Sequence, residues 1–231
     1  MDRVLEPELM DDPNLEKNLH RQALQGLRRI NRISGSAGIL WPSIRHLAHQ
    51  SPGGSLRILD IATGSGDVPI ALWWKAQQDG LSIEMNGCDK SPEAIDYARQ
   101  SADESAARIQ FFTWDVLANG IPAGYDVVTC SLFLHHLRIE EAGRLLKNMA
   151  HSARRLILMN DLVRSQTGLL AAHLGTSLLT RSPIVRIDGP RSVRAAFTIH
   201  EIRELAEKSG LTGFSITPHW PFRFLFVWSR Q

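Results

Sequence analysis

Covalent and metal cross-links have little to work with in this chain of 231 residues. Its two cysteines, Cys88 and Cys130, lie far apart with no CxxC pair, which excludes a disulfide framework, a thiol-disulfide motif and a zinc knuckle. No apolar run approaches the roughly 18 residues that a membrane-spanning helix requires. The stretch Met1 to Lys17 is acidic and holds no apolar leader core, so secretion is disfavoured and a reducing, cytoplasmic setting is expected. Internal repeats and low-complexity tracts are absent. Carboxylates are missing from Asn18 to Leu59, where Arg21, Arg28, Arg29, Arg32, Arg45 and Arg57 supply six positive charges; such a block is either a solvated helix face or a partner surface. The remainder is ordinary globular material, with net charge +2, 43% hydrophobic and 22% charged residues, and its length suits one large domain or one domain with an insertion.

Short apolar runs alternate with helical patterns from Leu56 onward. Strands are expected at 57–62, 81–88, 109–112, 125–130 and 155–160, with helices from Asp67 to Gln77, from Ser91, and after Leu137 to about His151. Near-continuously apolar strands separated by helices imply an α/β fold, a mostly parallel sheet with helices on both faces. After a helix over 198–209, the runs 213–218 and 222–228 are separated only by turn material, which predicts an antiparallel hairpin at the end of the sheet. Two segments fall outside this pattern. Residues 14–50 form an N-terminal cap whose helix carries Leu24, Leu27, Ile30 and Ile33 on one face. Residues 165–197 carry Leu169, Leu170, His173, Leu174, Leu178 and Leu179, then Arg181, Arg186, Arg191 and Arg194. Insertions at the C-terminal ends of strands sit where open α/β sheets bind ligands, so both segments are lid candidates, with His173 expected to pack in the core of the second.

The chemistry concentrates in Leu59-Asp60-Ile61-Ala62-Thr63-Gly64-Ser65-Gly66-Asp67. Glycines are needed where a chain leaves a strand, turns tightly into a helix and lets its backbone approach a ligand. Asp89 lies 23 positions beyond Gly66 at the end of the next strand, where a carboxylate can accept from both ribose hydroxyls. Asp115, after the third strand, is placed to accept from an adenine amino group. A glycine turn and acids at successive strand ends make a nucleoside site. Asp67 stands where a dinucleotide fold would admit a pyrophosphate, and a carboxylate there repels phosphate but favours a cation. The electrostatics therefore select S-adenosylmethionine, which carries a sulfonium and an ammonium group and no phosphate.

The run Asp60-Ile-Ala-Thr-Gly-Ser-Gly-Asp67 resembles motif I of class I S-adenosylmethionine-dependent methyltransferases, with Ala62 where that family has its first glycine. Ser131-Leu-Phe-Leu-His-His-Leu137 is similar to the ubiquinone/menaquinone-biosynthesis-like branch. Asn160-Asp-Leu-Val-Arg-Ser165, Gly189 to Phe197 and Trp220-Pro-Phe-Arg-Phe224 resemble methyltransferases that accompany polyketide synthases making phenolic products. The resemblance implies a single Rossmann-like domain over residues 1–231, with a seven-stranded sheet, a donor-binding core at 56–161 and a C-terminal helix and hairpin at 198–231. It places Asp60, Ala62, Gly64, Gly66, Asp67, Asp89, Lys90, Asp115, Val116, Cys130 and Ser131 around the donor and makes S-adenosylhomocysteine the product.

A phenolic acceptor, with a reference pKa near ~10, needs a base or a positive charge beside it at neutral pH. His135 and His136, after the fourth strand, are the expected bases, with His20 on the N-terminal helix as another candidate. Arg181, Arg186, Arg191 and Arg194 are candidates to hold a phenolate or carboxylate, and Asp161 is a further acceptor-side candidate. Trp41, Trp114, Phe133, Phe197, Trp220, Phe222, Phe224 and Trp228 are candidate walls of an apolar pocket, and the lid leucines are expected against an apolar acceptor. That points to a small aromatic or quinone-like substrate, with contact of the lid with a membrane surface left open and no transmembrane segment. Strand four ends Thr129-Cys130-Ser131 without a hard carboxylate ligand, so no catalytic metal is expected. Two rival readings stand beside this one: a nucleic-acid-binding relative gripping phosphates with the Arg21–Arg32 helix, which lacks any base-modifying motif, and a donor-binding but catalytically silent partner protein.

Overall fold

The computed structural model describes residues 1–11, 15–51, 54–180 and 182–230. Its core is a seven-stranded sheet. The strands are β1 (Leu56–Ile61), β2 (Ile83–Asp89), β3 (Ile109–Thr113), β4 (Val127–Ser131), β5 (Leu156–Leu162), β6 (Ser215–His219) and β7 (Arg223–Ser229), in the order β3-β2-β1-β4-β5-β7-β6. The first five are mutually parallel, and β7 runs antiparallel to both β5 and β6. The expected terminal hairpin is therefore present, with β7 wedged between β5 and β6.

Helices α3 (Asp67–Gln78), α4 (Pro92–Glu104), α5 (Ile139–Ser152) and α8 (Ile199–Lys208) cover the sheet. The central parallel strands β1, β4 and β5 are buried on both faces: along β5, Leu156 and Leu158 pack toward α3 and residues 37–48, and Ile157 and Met159 pack toward α5 and α8. This two-sided burial is why these strands read as continuous apolar runs. Ser91 caps α4 by accepting from the Ala94 amide, with Pro92 in its first turn, as the sequence predicts.

The N-terminal cap is two helices, α1 (Lys17–Ser34) and α2 (Ser36–His49), broken at Gly35 in a left-handed conformation. The lid is likewise two helices, α6 (Gln166–Leu179) and α7 (Pro183–Ala195). Leu179 faces inward, but three of the other lid leucines do not sit as expected. Leu170, Leu174 and Leu178 are 62%, 58% and 83% exposed, His173 is exposed as well, and the side of α6 turned inward is Gly168, Ala171, Ala172, Gly175 and Thr176. The i, i+4, i+8 spacing of those leucines does mark one helix face, but the outer one; periodicity identifies a stripe and not the direction it faces. Among the described residues no helix is long and apolar enough to cross a membrane.

The β1–α3 turn is tightly built. Gly66 has φ +72°, and a Cβ there would stand 2.9 Å from both Ala98 Cβ and Phe111 Cζ. Gly66→Ala is expected to cost about 2–4 kcal/mol, combining left-handed strain with overpacking, read as a lowered urea midpoint at unchanged slope.

Candidate active site

Strand β1 is the point where the sheet order reverses, and its last residue pairs with Cys88 of β2 on one side and Cys130 of β4 on the other. The ends of three strands thus align, and the crevice beyond them is where such sheets bind ligands. A cavity of about 1120 Å³ opens there. That is above the ~300–1,000 Å³ common for one small ligand, and it leaves room for a nucleoside donor and a second molecule.

One end of the cavity is acidic. Asp60, Asp67, Asp89 and Asp115 all line it, together with Ala62, Gly64, Lys90, Val116 and Ser131. Asp89 ends β2 and accepts from the Gly64 amide at 2.9 Å and the Ser91 amide at 3.0 Å, which fixes the glycine turn against it. Gly64 has φ +53°, and nothing lies within 4 Å of where its Cβ would be, so the turn presents bare backbone to the cavity. Ala62 has φ +50°, a conformation that costs a non-glycine residue about 1–2 kcal/mol and accounts for the glycine that the resemblance puts there. Leu132 and Phe222, at φ +55° and +49°, are two more non-glycine cavity residues in this region, and such strain clusters at functional sites.

Asp60 sits beneath the turn, 2% exposed, and accepts from Thr63 Oγ1 at 2.8 Å and Thr129 Oγ1 at 2.6 Å. Burial pushes its pKa up to about 7 against the lowering effect of the two hydroxyls. Burial also raises Asp67, opposed by bonds from Ser65 and Asn31. Asp115 accepts from the Leu117 and Ala118 amides at 2.8 and 3.2 Å through one oxygen. Ser131 Oγ is buried with no partner, as are both amide atoms of Asn160, which pairs with Ser131 in register. Orphaned polar atoms beside a cavity call for a polar ligand or ordered water. Bare backbone at Gly64, an acid rim and the orphaned Ser131 hydroxyl together fit the ribose, cation and amino-acid portion of S-adenosylmethionine. Two placements differ from those expected: Gly66 and Cys130 do not line the cavity. Gly66 is held against Ala98 and Phe111, while Cys130 is fully buried and its thiol is raised by that burial.

The other end of the cavity holds the histidines, on a short 3-10 turn at Leu134–His136. His135 is 4% exposed; its Nδ1 lies 2.6 Å from Asp161 Oδ1, and its Nε2 is 3.7 Å from Glu8. Burial alone would raise Asp161, but the charge and hydrogen bond of His135 outweigh it and hold the carboxyl below its ordinary range. Asp161 therefore belongs behind the histidine and does not line the cavity. His136 is partly exposed to the cavity and stacks on His135 with ring centroids 4.3 Å apart; its Nε2 is 3.9 Å from Glu8. The donor atoms of Glu8, His135 and His136 lie within 4.8 Å of one another, the only such metal-compatible group among the described residues. Their separations of 3.7 and 3.9 Å exceed the about 3.3 Å between ligands of a tetrahedral ion bound at ~2.0–2.1 Å, and we describe the group as an ion-pair cluster.

The remaining expected site residues fall elsewhere. Arg186 donates to the Thr180 and Ser177 carbonyls at the end of α6, and Arg191 and Arg194 reach Glu6 of the N-terminal segment. None of the three lines the cavity, because orphan carbonyls and a nearby carboxylate engage them first. Arg181 lies outside the described residues, as does the side chain of His20. Of the expected aromatic walls, Trp114, Phe133 and Phe222 line the cavity, Phe197 and Phe224 are core, and Trp220 is 80% exposed. Sequence reasoning missed Glu8, Ser192 and Arg223. Arg223 is 2% exposed, donates to Ser36 Oγ and to Asn31 Oδ1, and has its pKa lowered to about 10 by burial.

Comparison with known proteins agrees with this geometry: residues 58–155 match the Methyltransferase domain family. The matched stretch, which runs from β1 through α5, is thus similar to methyltransferase domains. A demethylmenaquinone methyltransferase of Deinococcus radiodurans is 41% identical over 76 residues, 32% of this chain and 30% of that one. A ubiquinone biosynthesis O-methyltransferase of Vibrio cholerae is 25% identical over 171 residues, 70% of this chain and 65% of its own. The chain thus spans less than two thirds of the length of these curated relatives. In fold, the magnesium protoporphyrin IX methyltransferase of Synechocystis PCC 6803, solved with SAH bound, superposes with a TM-score of 0.59 at 18% identity over 96% of this chain and 91% of that one.

Asp60 generates a pH prediction. Its folded value of about 7 lies above the ordinary 3.8, so between those values the folded state holds a proton that the unfolded chain does not. Stability from this group is therefore complete at low pH and is lost as pH rises through that window. Asp60→Asn is expected to flatten this loss, with urea denaturation at pH 5 and pH 8 as the measurement.

Proposed function

We propose that the protein methylates a small aromatic acceptor in the cytoplasm, a phenolic hydroxyl or the ring of a quinone-like compound, with His136 as the proton acceptor. The observation that carries this reading is the single cavity that runs from the acid rim to the paired histidines under the lid. Bound at the rim, S-adenosylmethionine supplies a methyl group on cationic sulfur. Asp89 and the Gly64 turn hold the ribose side, Asp115 and Val116 the adenine side, and Ser131 the amino-acid portion.

On the acceptor side the walls are apolar: Leu24 and Ile30 of α1, Ala171, Ala172 and Leu179 of α6, Val185 and Val193 of α7, and Phe133 and Phe222. They exclude water and align the acceptor, the main contributions a protein makes to an in-line displacement. His136 Nε2 takes the hydroxyl proton as the oxygen–methyl bond forms and the sulfur–methyl bond breaks. The positive charge lost from sulfur reappears on the imidazole, beside Glu8. Asp161 fixes the ring of His135, on which His136 stacks.

Likeness to quinone-biosynthesis methyltransferases supports the acceptor class. The nucleic-acid reading is not favoured, since α1 contributes Leu24, Ile30 and Asn31 to the cavity wall.

The test combines donor binding and turnover. Asp89→Ala is expected to weaken S-adenosylhomocysteine binding at least about tenfold by calorimetry, in line with losing a charged hydrogen-bond acceptor, with the fold intact by circular dichroism. His136→Gln is expected to leave that binding unchanged and to lower kcat about 10²–10⁴-fold on a phenol that the native protein methylates, the range for removing a general base. Failure of the native protein on a panel of phenols and quinols would sink the reading.

A further inference from the structure

The N-terminal segment is strapped to α7 and the histidine turn by specific bonds. Arg3 donates to the carbonyls of Ala195 at 2.6 Å and Leu137 at 2.7 Å, and its guanidinium lies 3.8 Å over the Phe197 ring. The Val4 amide donates to the Arg194 carbonyl at 3.1 Å. Farther along, the Leu9 and Met10 amides donate to the two oxygens of Asp188 at 2.9 and 3.1 Å. Between these anchors stands Glu8, 8% exposed, with one oxygen 3.7 Å from His135 Nε2 and the other 3.9 Å from His136 Nε2. Ser192 Oγ donates to the first of these. A buried carboxylate is costly unless compensated, and the strap spends at least five bonds setting this one against the two rings.

We propose that Glu8 is a positioning residue of the active site: it orients His136 and compensates the charge that this ring acquires on taking the acceptor's proton, so that the N-terminal segment completes the acid–base apparatus. This rests on the methyl-transfer reading above. The hydroxyl proton moves to His136 Nε2, the imidazolium faces the Glu8 carboxylate, and the proton later leaves to solvent; Glu8 itself gains no bond. Among the described residues, the other titratable and charged groups near the ring include His135 on the same turn, Asp161 of β5 behind it, Arg3 and Glu6 of the strap, and Arg138 and Glu141 at the start of α5. Glu8 lies within 4 Å of both imidazoles, one oxygen facing each ring.

The experiment is a proton NMR titration of the His136 imidazole in the full chain with S-adenosylhomocysteine bound, for the native protein, Glu8→Gln, Glu8→Asp and Asp188→Asn. The last leaves Glu8 in place chemically but loosens its anchor. A carboxylate favours the protonated ring, so the His136 midpoint is expected to fall about one unit in Glu8→Gln, the equivalent of a tenfold change, with smaller falls in Asp188→Asn and Glu8→Asp. In turnover, Glu8→Gln is expected to lose about tenfold in kcat by the same equivalence, to keep KM and S-adenosylhomocysteine affinity, and to carry the acid limb of its pH profile to lower pH; Glu8→Asp is expected to restore part of the rate. An unmoved His136 midpoint in folded Glu8→Gln overturns the proposal, as does one equivalent of a divalent metal in the native protein that Glu8→Gln fails to retain. Should the midpoint move as expected while the native protein methylates none of the phenols and quinols, the coupling of Glu8 to the ring is upheld and the acceptor reading alone fails.

Discussion

Strand β1 is hydrogen-bonded in parallel on both edges, and its register brings Ile61, Cys88 and Cys130 level with one another. Every element of the site hangs from that alignment. Because the three strands end together, the turn after β1, the acid at the end of β2 and the histidine turn after β4 open onto one crevice. The strand order reverses at β1, so the connections after β1 and β4 leave toward helices on opposite faces of the sheet and a crevice opens between them. A slip of one residue in either pairing would turn every side chain on the slipped strand to the opposite face, removing the Asp60–Thr129 hydrogen bond that ties the two central strands beneath the turn.

Four buried or half-buried carboxylates serve this crevice by different routes. Asp60 is satisfied by hydroxyls and tends toward its neutral form; Asp161 is satisfied by an imidazole and stays ionised. Asp89 is spent largely on backbone amides, shaping the loop that meets the ligand. Glu8 arrives from the far end of the chain to face two rings. Charge is thus graded along the cavity: carboxylate-rich at the glycine turn, and faced by imidazole at the histidine turn.

The parallel sheet, the closing hairpin and the glycine turn were legible because each is written in local order: apolar runs, turn spacing, and small residues between a strand and a helix. Asp89 and Asp115 were legible for the same reason, each sitting just past a strand. What could not be read was anything that depends on which way a face turns or on which distant segment returns. The leucines of α6 share a stripe, but its direction is decided by α7 and the cavity behind it. The lid arginines satisfy helix-end carbonyls and the N-terminal segment, partners that no spacing rule reveals. Glu8 lies in a stretch with no regular structure beyond one short turn, and its place follows only from Arg3, Asp188 and the chain they anchor. Thr129 is an intermediate case: a hydroxyl in a buried apolar strand is an oddity that points to a neighbouring polar partner, here Asp60.

The inward side of α6 is made almost wholly of glycine and alanine. At Gly175 a methyl group would meet no atom within 4 Å, and Ala171 and Ala172 likewise face the cavity. The width of the cavity beside α6 is therefore set in part by a position, Gly175, whose side chain could grow without meeting the sheet, the acid rim or the histidine turn. The bore of the cavity can thus narrow or widen there while both of its ends keep their shape.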